Sequence, residues 1–402
     1  MDAFYASVEL LRYPQLRDVP VVIGGSRFTA QQEAVLVQRW GSLAQVPLHA
    51  FTRLGSYVGR GVVTTATYAA RQFGVGSAMG LMKAARLCPQ AVLLPIDFAR
   101  YRAYSQRFKE VVVRTAPVME DRGVDEVYID LTDVPGVQEQ GGRLLALHLQ
   151  EAIFAATGLT CSIGVAPNKL LAKMASEFHK PRGVAVVWPH DVQSTIWPLP
   201  CRKMHGIGPK ANAKLAQLGI TTIGQLAAYP VHRLVQQFGR SMGLWLHQAA
   251  QGLDDRPVQT HSEPVSCSRE TTFAQDLHAV QDKAQLGATF TWLCERVAED
   301  LQRQGYGGRT VGIKLRFSNF RCVTREMTVD ALLQDSATIR RLAGLCLRRA
   351  PLTQRIRLLG VRVGGLQPWP TASGEAAGSG AVPGAEVSGP GAQGLGITLN
   401  LF

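Results

Sequence analysis

Between Val19 and Phe178 the chain alternates short apolar runs with stretches of helical periodicity, so this part must fold as sheet and helix packed together. Val19–Gly24 ("VPVVIG") reads as a buried strand closed by glycine. Val62–Thr65 and Ala91–Leu94 read as further strands, with helices beginning at Tyr68 and spanning Leu81–Leu87. Ala99–Val113 carries Tyr101, Tyr104, Phe108, Val111 and Val112 at the spacing of one helix face. A strand over Asp125–Leu131, a helix over Leu144–Thr157, a strand over Thr160–Val165 and a helix over Asn168–Phe178 follow. Two hairpin-like returns favour an α+β sheet over a doubly wound one. Ser26–Val58 has a mixed pattern that yields no element.

The rest of the 402 residues calls for more than one further domain. Pro198–Gly252 is helical with short loops, whereas Ser262–Leu366 mixes strands and helices again. In "TVGIKLRF" (Thr310–Phe317) apolar residues alternate with Gly312, Lys314 and Arg316, giving one core face and one basic face. "FRCVTREMTV" adds Arg321 and Arg325, and "RIRLLGVRV" adds Arg355, Arg357 and Arg362. With a net charge of +13, these basic strands suit a phosphate backbone. The seven cysteines form no CxxC pair, which supports neither a disulfide framework nor a zinc site and suits a reducing, cytoplasmic setting. No run of 18 apolar residues predicts a membrane span, and no secretory leader is expected. Gln367–Gly396 has the composition of a flexible linker, and the apolar tip "GITLNLF" beyond it suits a partner's groove.

Several short stretches carry chemistry. Asp125 and Glu126 are adjacent carboxylates in a strand, and oxygen ligands of this kind suit Mg²⁺ shared with a substrate phosphate. Asp2 would supply a further carboxylate for a two-metal site, with Phe4 and Tyr5 bordering a substrate sugar. Tyr68 and Arg71 share a helix face as a phosphate clamp. Asn168 reads as a helix N-cap with Lys169 in the first turn, while Lys173 and Lys180 read as surface residues. "MHGIGPKANAKLAQLGI" has helix-hairpin-helix spacing, in which Gly206, Gly208 and Lys210 would meet a DNA phosphate. His205 reads as a hairpin residue only.

Four collinear segments, "MDAFYASVE", "GVVTTATYAARQFGV", "VDEVYIDLT" and "SIGVAPNKLLAKMAS…KPRG", resemble the Y-family translesion DNA polymerases of the DNA polymerase IV type. The resemblance covers the chain from Met1 to Leu366. It implies an α+β multidomain right hand: a palm (1–3 and 97–176), fingers (4–96), a helix-hairpin-helix thumb (177–254) and a little finger (262–366). A linker (367–396) and a clamp-binding peptide (397–402) complete it.

The resemblance further implies Asp125 as a metal ligand and Glu126 as the catalytic glutamate, with two Mg²⁺ ions. It implies Tyr5 as the steric gate that collides with a 2′-hydroxyl. It implies a triphosphate cradle from the Phe4 and Tyr5 amides with Thr65, Tyr68, Arg71 and Lys169. Lys314, Arg316, Arg321, Arg325 and Arg357 would meet DNA on the little finger. Thr398, Leu399, Asn400, Leu401 and Phe402 would dock on a sliding clamp, with Thr398 where the family has Gln. The implied activity is low-fidelity synthesis across damaged template without proofreading, by a monomer acting on primer-template and dNTP.

One departure concerns the first strand, which in the family reads apolar-apolar-Asp-x-Asp. The chain begins at the "x", so Met1 supplies a backbone carbonyl ligand and Asp2 matches the second aspartate. Because the other motifs are intact, the expectation is a true start upstream rather than an impaired form. The competing reading is a non-catalytic scaffold that binds DNA and clamp. Ser26–Val58 is also longer than the corresponding family loop.

Overall fold

A computed structural model describes residues 1–135, 137, 141–370 and 398–401. The chain divides into two units, Met1–His261 together with the C-terminal strand, and a second that begins at Ser262. In the first unit, a three-stranded sheet is built from β1 (Val21–Arg27), β2 (Val63–Ala66) and β3 (Val92–Ile96) in the order β2-β1-β3. The segment left unassigned from sequence contributes α2 (Ala30–Trp40), which follows α1 (Phe4–Arg12) in the chain. It is closed by a capping box in which Thr29 accepts from the Gln32 amide and Gln32 reaches back to Thr29. None of its residues is fully buried, which is why only a faint apolar period marks it. Short helices α3 (Tyr68–Arg71) and α4 (Leu81–Leu87) complete this region.

A five-stranded sheet carries the acidic pair. Its strands are β4 (Met119–Asp121), β5 (Val127–Asp130), β6 (Ile163–Ala166), β7 (Val184–Val186) and the C-terminal β12 (Thr398–Leu401), in the order β4-β5-β12-β6-β7. β7 lies beyond residue 176, so the sheet runs into the stretch that the sequence assigned to the thumb. Helix α5 (Phe98–Thr115) buries Tyr101, Ser105, Phe108 and Val112 at successive turns. Helix α6 (Arg143–Thr157) buries Ala146, Leu149 and Ile153. With β5, β6 and α1 they form one continuous core. α7 (Lys169–Ala175) starts where predicted, with Asn168 accepting from the Leu171 amide at 3.0 Å.

The N-terminus enters this sheet rather than its edge. The Met1 ammonium donates to the Asp125 carbonyl at 2.7 Å, and the Asp2 amide donates to the Thr160 carbonyl at 3.0 Å. Leu401 of β12 pairs with Val127 and Ile163. Residues 1–2 and β12 therefore occupy successive positions in one channel between the β5 and β6 segments. Phe4 and Tyr5 begin a helix, not a strand edge.

Four helices end this unit, α8 (Pro209–Gln217), α9 (Ile223–Ala228), α10 (Val231–Phe238) and α11 (Arg240–Ala250). The second unit is an antiparallel sheet of β8 (Ser266–Leu277), β9 (Tyr306–Phe317), β10 (Cys322–Leu333) and β11 (Ile356–Pro368), in the order β10-β9-β11-β8. Helices α12 (Lys283–Gln304) and α13 (Ser336–Arg348) contribute Leu293, Val297, Ile339 and Leu342 to a core shared with Val311, Ile313, Leu315 and Phe317 of β9. All seven cysteines are free thiols and only Cys322 is exposed. Among the described residues, no helix is long and apolar enough to cross a membrane.

Because β12 pairs on both edges, deleting Thr398–Phe402 removes a central strand and not only a tail. A loss of ~2 kcal/mol in a unit of this size would lower Tm by about 4–8 °C. Thermal unfolding of the deleted and full chains checks this. An unchanged Tm would mean that the segment contributes nothing to the sheet.

Candidate active site

Asp125 and Glu126 precede β5 and stand at its entry, where neighbouring carboxylates need not point to opposite faces. Burial pushes the Asp125 carboxyl up and Glu126 adds to this, while the Met1 ammonium, Lys173 and Lys180 pull it down. The net result is a carboxyl above its ordinary range. Glu126 accepts from the Lys173 ammonium at 2.9 Å. Lys173 is mostly buried and is no surface residue: it lies one turn beyond Lys169 on the inner side of α7. Lys180 instead pairs with Glu177 at 2.5 Å in an exposed contact, in keeping with its reading as a surface residue. Sequence reading missed Lys173, although the four-residue step from Lys169 to Lys173 was a visible signal.

Asp2 is not splayed toward this pair as a free ligand. Its carboxylate is buried and accepts from Ser162 Oγ at 2.7 Å and from the Arg182 amide at 2.9 Å. Lys169 is likewise committed, with its ammonium 2.7 Å from both Glu120 Oε2 and the Pro257 carbonyl.

The Tyr68–Arg71 pair forms as predicted. The Arg71 guanidinium lies 4.8 Å from the Tyr68 ring centroid, and its Nε donates to the Ala66 carbonyl at 3.1 Å. The Tyr68 hydroxyl is buried with no hydrogen-bond partner. Burial, with the Asp2 charge, pushes its pKa up to about 12. A buried hydroxyl without a partner carries a penalty of roughly 1–3 kcal/mol unless something else accepts from it. Thr65 is buried on β2, opposite Ile23.

Helix α1 starts after Ala3, which adopts the left-handed region at φ 43° and offers no side-chain cap. The amides of Phe4 and Tyr5 thus open an uncapped helix N-terminus, which favours anions. The Tyr5 ring stacks on Tyr101.

These donors fit a polyphosphate and a hard cation. Among the described residues, no three His, Cys, Asp or Glu side chains converge. Two carboxylates suffice for an ion of the Mg²⁺ type, which takes its remaining ligands from water and substrate phosphates.

The helical region presents a second surface. Gly206 has φ 101°, and a Cβ there would lie 2.6 Å from the Trp245 ring. Gly208 caps α8 without a side chain, Pro209 follows, and Lys210 is exposed in the first turn. His205 lies close enough to Lys173 and Glu126 to feel their charges. The residue is exposed, but partial desolvation of its ring, reinforced by Lys173, lowers its pKa.

In the second unit, the face of the sheet opposite the helices carries Lys314, Arg316 and Arg362, and Lys314 pairs with Glu270 at 2.8 Å. Gly312 and Gly360 leave the middle of this face without side chains. Arg325 does not belong to it. It pairs with Ile313, shares the helix side with Val323 and Met327, and donates to the Arg349 carbonyl at 3.2 Å. The alternation V-x-R-x-M already carried that signal. Arg321 is exposed beyond the β9–β10 turn, and Arg357 lies 4.7 Å from the Phe320 ring centroid. Thr398, Leu399, Asn400 and Leu401 form β12, and Phe402 lies outside the described residues.

Comparison with known proteins agrees with this arrangement. Residues 1–177 match the impB/mucB/samB family, and 264–376 match its C-terminal domain. Residues 202–254 match the thumb domain of DNA polymerase iota. The DNA polymerase IV of Caulobacter vibrioides is 37% identical over 359 residues, covering 89% of this chain and 80% of that protein. That of Methanoculleus marisnigri is 36% identical over 367 residues, covering 91% and 93%. A Y-family DNA polymerase chimera superposes with a TM-score of 0.72 at 23% identity, covering 90% of this chain and 96% of the other. The chain belongs to the Y-family DNA polymerases, among relatives named DNA polymerase IV. It is a DNA-directed DNA polymerase with the palm, fingers, thumb and little finger of that fold.

The Lys169–Glu120 pair generates a pH prediction. Burial alone would raise the Glu120 carboxyl, but hydrogen bonds from Lys169 and the Gln259 amide hold it below its ordinary value of 4.5. A depressed carboxyl contributes stability that is complete above pH 4.5 and is lost as pH falls through the lower folded value. Glu120→Gln should therefore flatten the acid limb of Tm against pH. Lys169→Met, which removes the buried ammonium and leaves Glu120 only the Gln259 amide and the exposed Arg122, should destabilise more at neutral pH. Denaturant unfolding across pH 3–7 checks both.

Proposed function

We propose that this chain carries out Mg²⁺-dependent, template-directed nucleotidyl transfer across damaged DNA, without proofreading. The observation that carries this reading is the unpartnered buried Tyr68 hydroxyl beside Arg71, with the Asp2 charge acting on it from just before the uncapped start of α1. A dNTP triphosphate answers all of these at once: it accepts from Tyr68, pairs with Arg71 and takes the Phe4 and Tyr5 amides. Asp125 and Glu126 are the residues that would hold divalent metal. When bound, it would neutralise triphosphate charge and favour ionisation of the primer 3′-hydroxyl.

The remaining work falls to the chain. Lys173 holds Glu126 in position. Asp2 acts as a tie within the palm and not as a primary ligand. Tyr5 bars a 2′-hydroxyl from the sugar position. Gly206, Gly208 and Lys210 would receive DNA phosphate, as would Lys314, Arg316, Arg321 and Arg357 on the little finger. The Thr398–Phe402 segment is proposed to bind a sliding clamp, which requires it to leave the palm sheet. A non-catalytic scaffold has no observation in its favour.

Primer extension with four dNTPs and Mg²⁺ tests the central reading. Asp125→Asn and Glu126→Gln should each lower kcat by at least about 10²–10³. Arg71→Ala should act mainly through a raised KM for dNTP. Full activity in both carboxylate variants would remove the polymerase site from this position. For DNA binding, Lys314→Ala and Arg316→Ala should each reduce the slope of log K against log salt by about 1.

A further inference from the structure

We propose that Tyr101, held by Glu9, is a positioning residue that sets sugar discrimination by fixing the ring of Tyr5. The proposal rests on the reading of Tyr5 as the sugar gate. Tyr5 belongs to the first turn of α1 and is only half-buried, so its own helix leaves the ring room to move. What confines it comes from α5. The rings of Tyr5 and Tyr101 stack at 4.1 Å with planes 19° apart, and Phe98 meets Tyr5 edge-on at 6.1 Å. Phe98 also meets Tyr101 edge-on at 6.2 Å, closing a three-ring box.

Tyr101 cannot slide, because it is completely buried and its hydroxyl donates to Glu9 Oε1 at 2.7 Å. Glu9 is also completely buried and is gripped by Arg12, whose Nε and second nitrogen lie 2.7 and 2.6 Å from Oε2. Arg12 in turn reaches Asp97, the N-cap of α5, at 3.4 Å and lies 4.4 Å from the Phe28 ring centroid. A buried chain, Tyr101–Glu9–Arg12–Asp97, thus joins α1 to α5 and ends on the face of the Tyr5 ring. Exclusion of a hydroxyl by a ring works only if the ring cannot retreat by the ångström or so that the hydroxyl needs. Stacking on a locked aromatic supplies that resistance.

The test is the ratio of kcat/KM for a dNTP to that for the matching rNTP. Wild type would be compared with Tyr5→Ala, Tyr101→Leu, Tyr101→Phe, Glu9→Gln and the Tyr5→Ala/Tyr101→Leu double variant. Tyr101→Leu should lower the ratio about tenfold through a gain in rNTP use, because an unbacked ring yields. Tyr101→Phe keeps the stack but frees the ring from Glu9, and it should lower the ratio two- to fivefold, with a Tm lower by several degrees because a buried Glu9 oxygen loses its donor. Since Tyr101 acts through Tyr5, the double variant should discriminate no worse than Tyr5→Ala. Should Tyr101→Leu fail to fold, Tyr101→Phe and Glu9→Gln decide. Equal loss of dNTP and rNTP use in the Tyr101 variants, or additive loss in the double variant, overturns the proposal while leaving the gate intact. No relaxation in Tyr5→Ala instead rejects the gate itself, and the proposal with it.

Discussion

The buried carboxylate of Asp2 is the fixed point from which the site is laid out. An unpaired charge in that position would be prohibitively unfavourable, so its two hydrogen bonds, to Ser162 Oγ and the Arg182 amide, are obligatory. They fasten the start of the chain to β6 and to the segment that leads into β7. From that anchor α1 departs with its N-terminal amides uncapped. The Met1 ammonium reaches Asp125 from the same anchor, and Tyr68 feels the Asp2 charge. Each component of the proposed nucleotide site is therefore referenced to one dipeptide.

Around that anchor the charges are paired, one pair buried and one partly exposed. α7 presents Lys169 to Glu120 and Lys173 to Glu126, so one short helix compensates two acids on the β4–β5 hairpin. Only the second of these pairs adjoins the carboxylates proposed to hold metal. In the first, the Lys169 ammonium is shared between Glu120 and the Pro257 carbonyl. The pattern recurs in the little finger, where Arg269 serves Asp300 on α12 while Lys314 and Arg316 stay on the open face. Basic residues in this chain thus divide between internal ties and a surface fit for phosphate.

The C-terminal segment poses a physical choice. As β12 it fills the channel between β5 and β6, with pairing on both edges. As a clamp peptide it would have to be extended and accessible. One four-residue strand cannot serve both at once, so partner binding through this segment would compete with sheet completion. The free energy of pairing in the palm would then set the affinity threshold that a partner must exceed.

Much of this was legible in the residues themselves. The stripe on α5, the cap at Asn168, the Tyr68–Arg71 face and the alternation along β9 follow from local period and capping chemistry, which depend only on neighbours in the chain. The parity of Arg325 was legible too, because it shares a face with Val323 and Met327. Helix α2 escaped notice because none of its residues is fully buried and only Leu36 and Trp40 lean on the core, which leaves a faint period. The pairing of Lys173 with Glu126, the contact of Lys169 with Glu120, the role of Asp2 as a tie and the stack of Tyr5 on Tyr101 were decided only by the tertiary fold. Each joins residues far apart in the chain, as in the 92 positions between Glu9 and Tyr101. Local pattern fixes which face a side chain takes, but only packing decides which distant group meets it there.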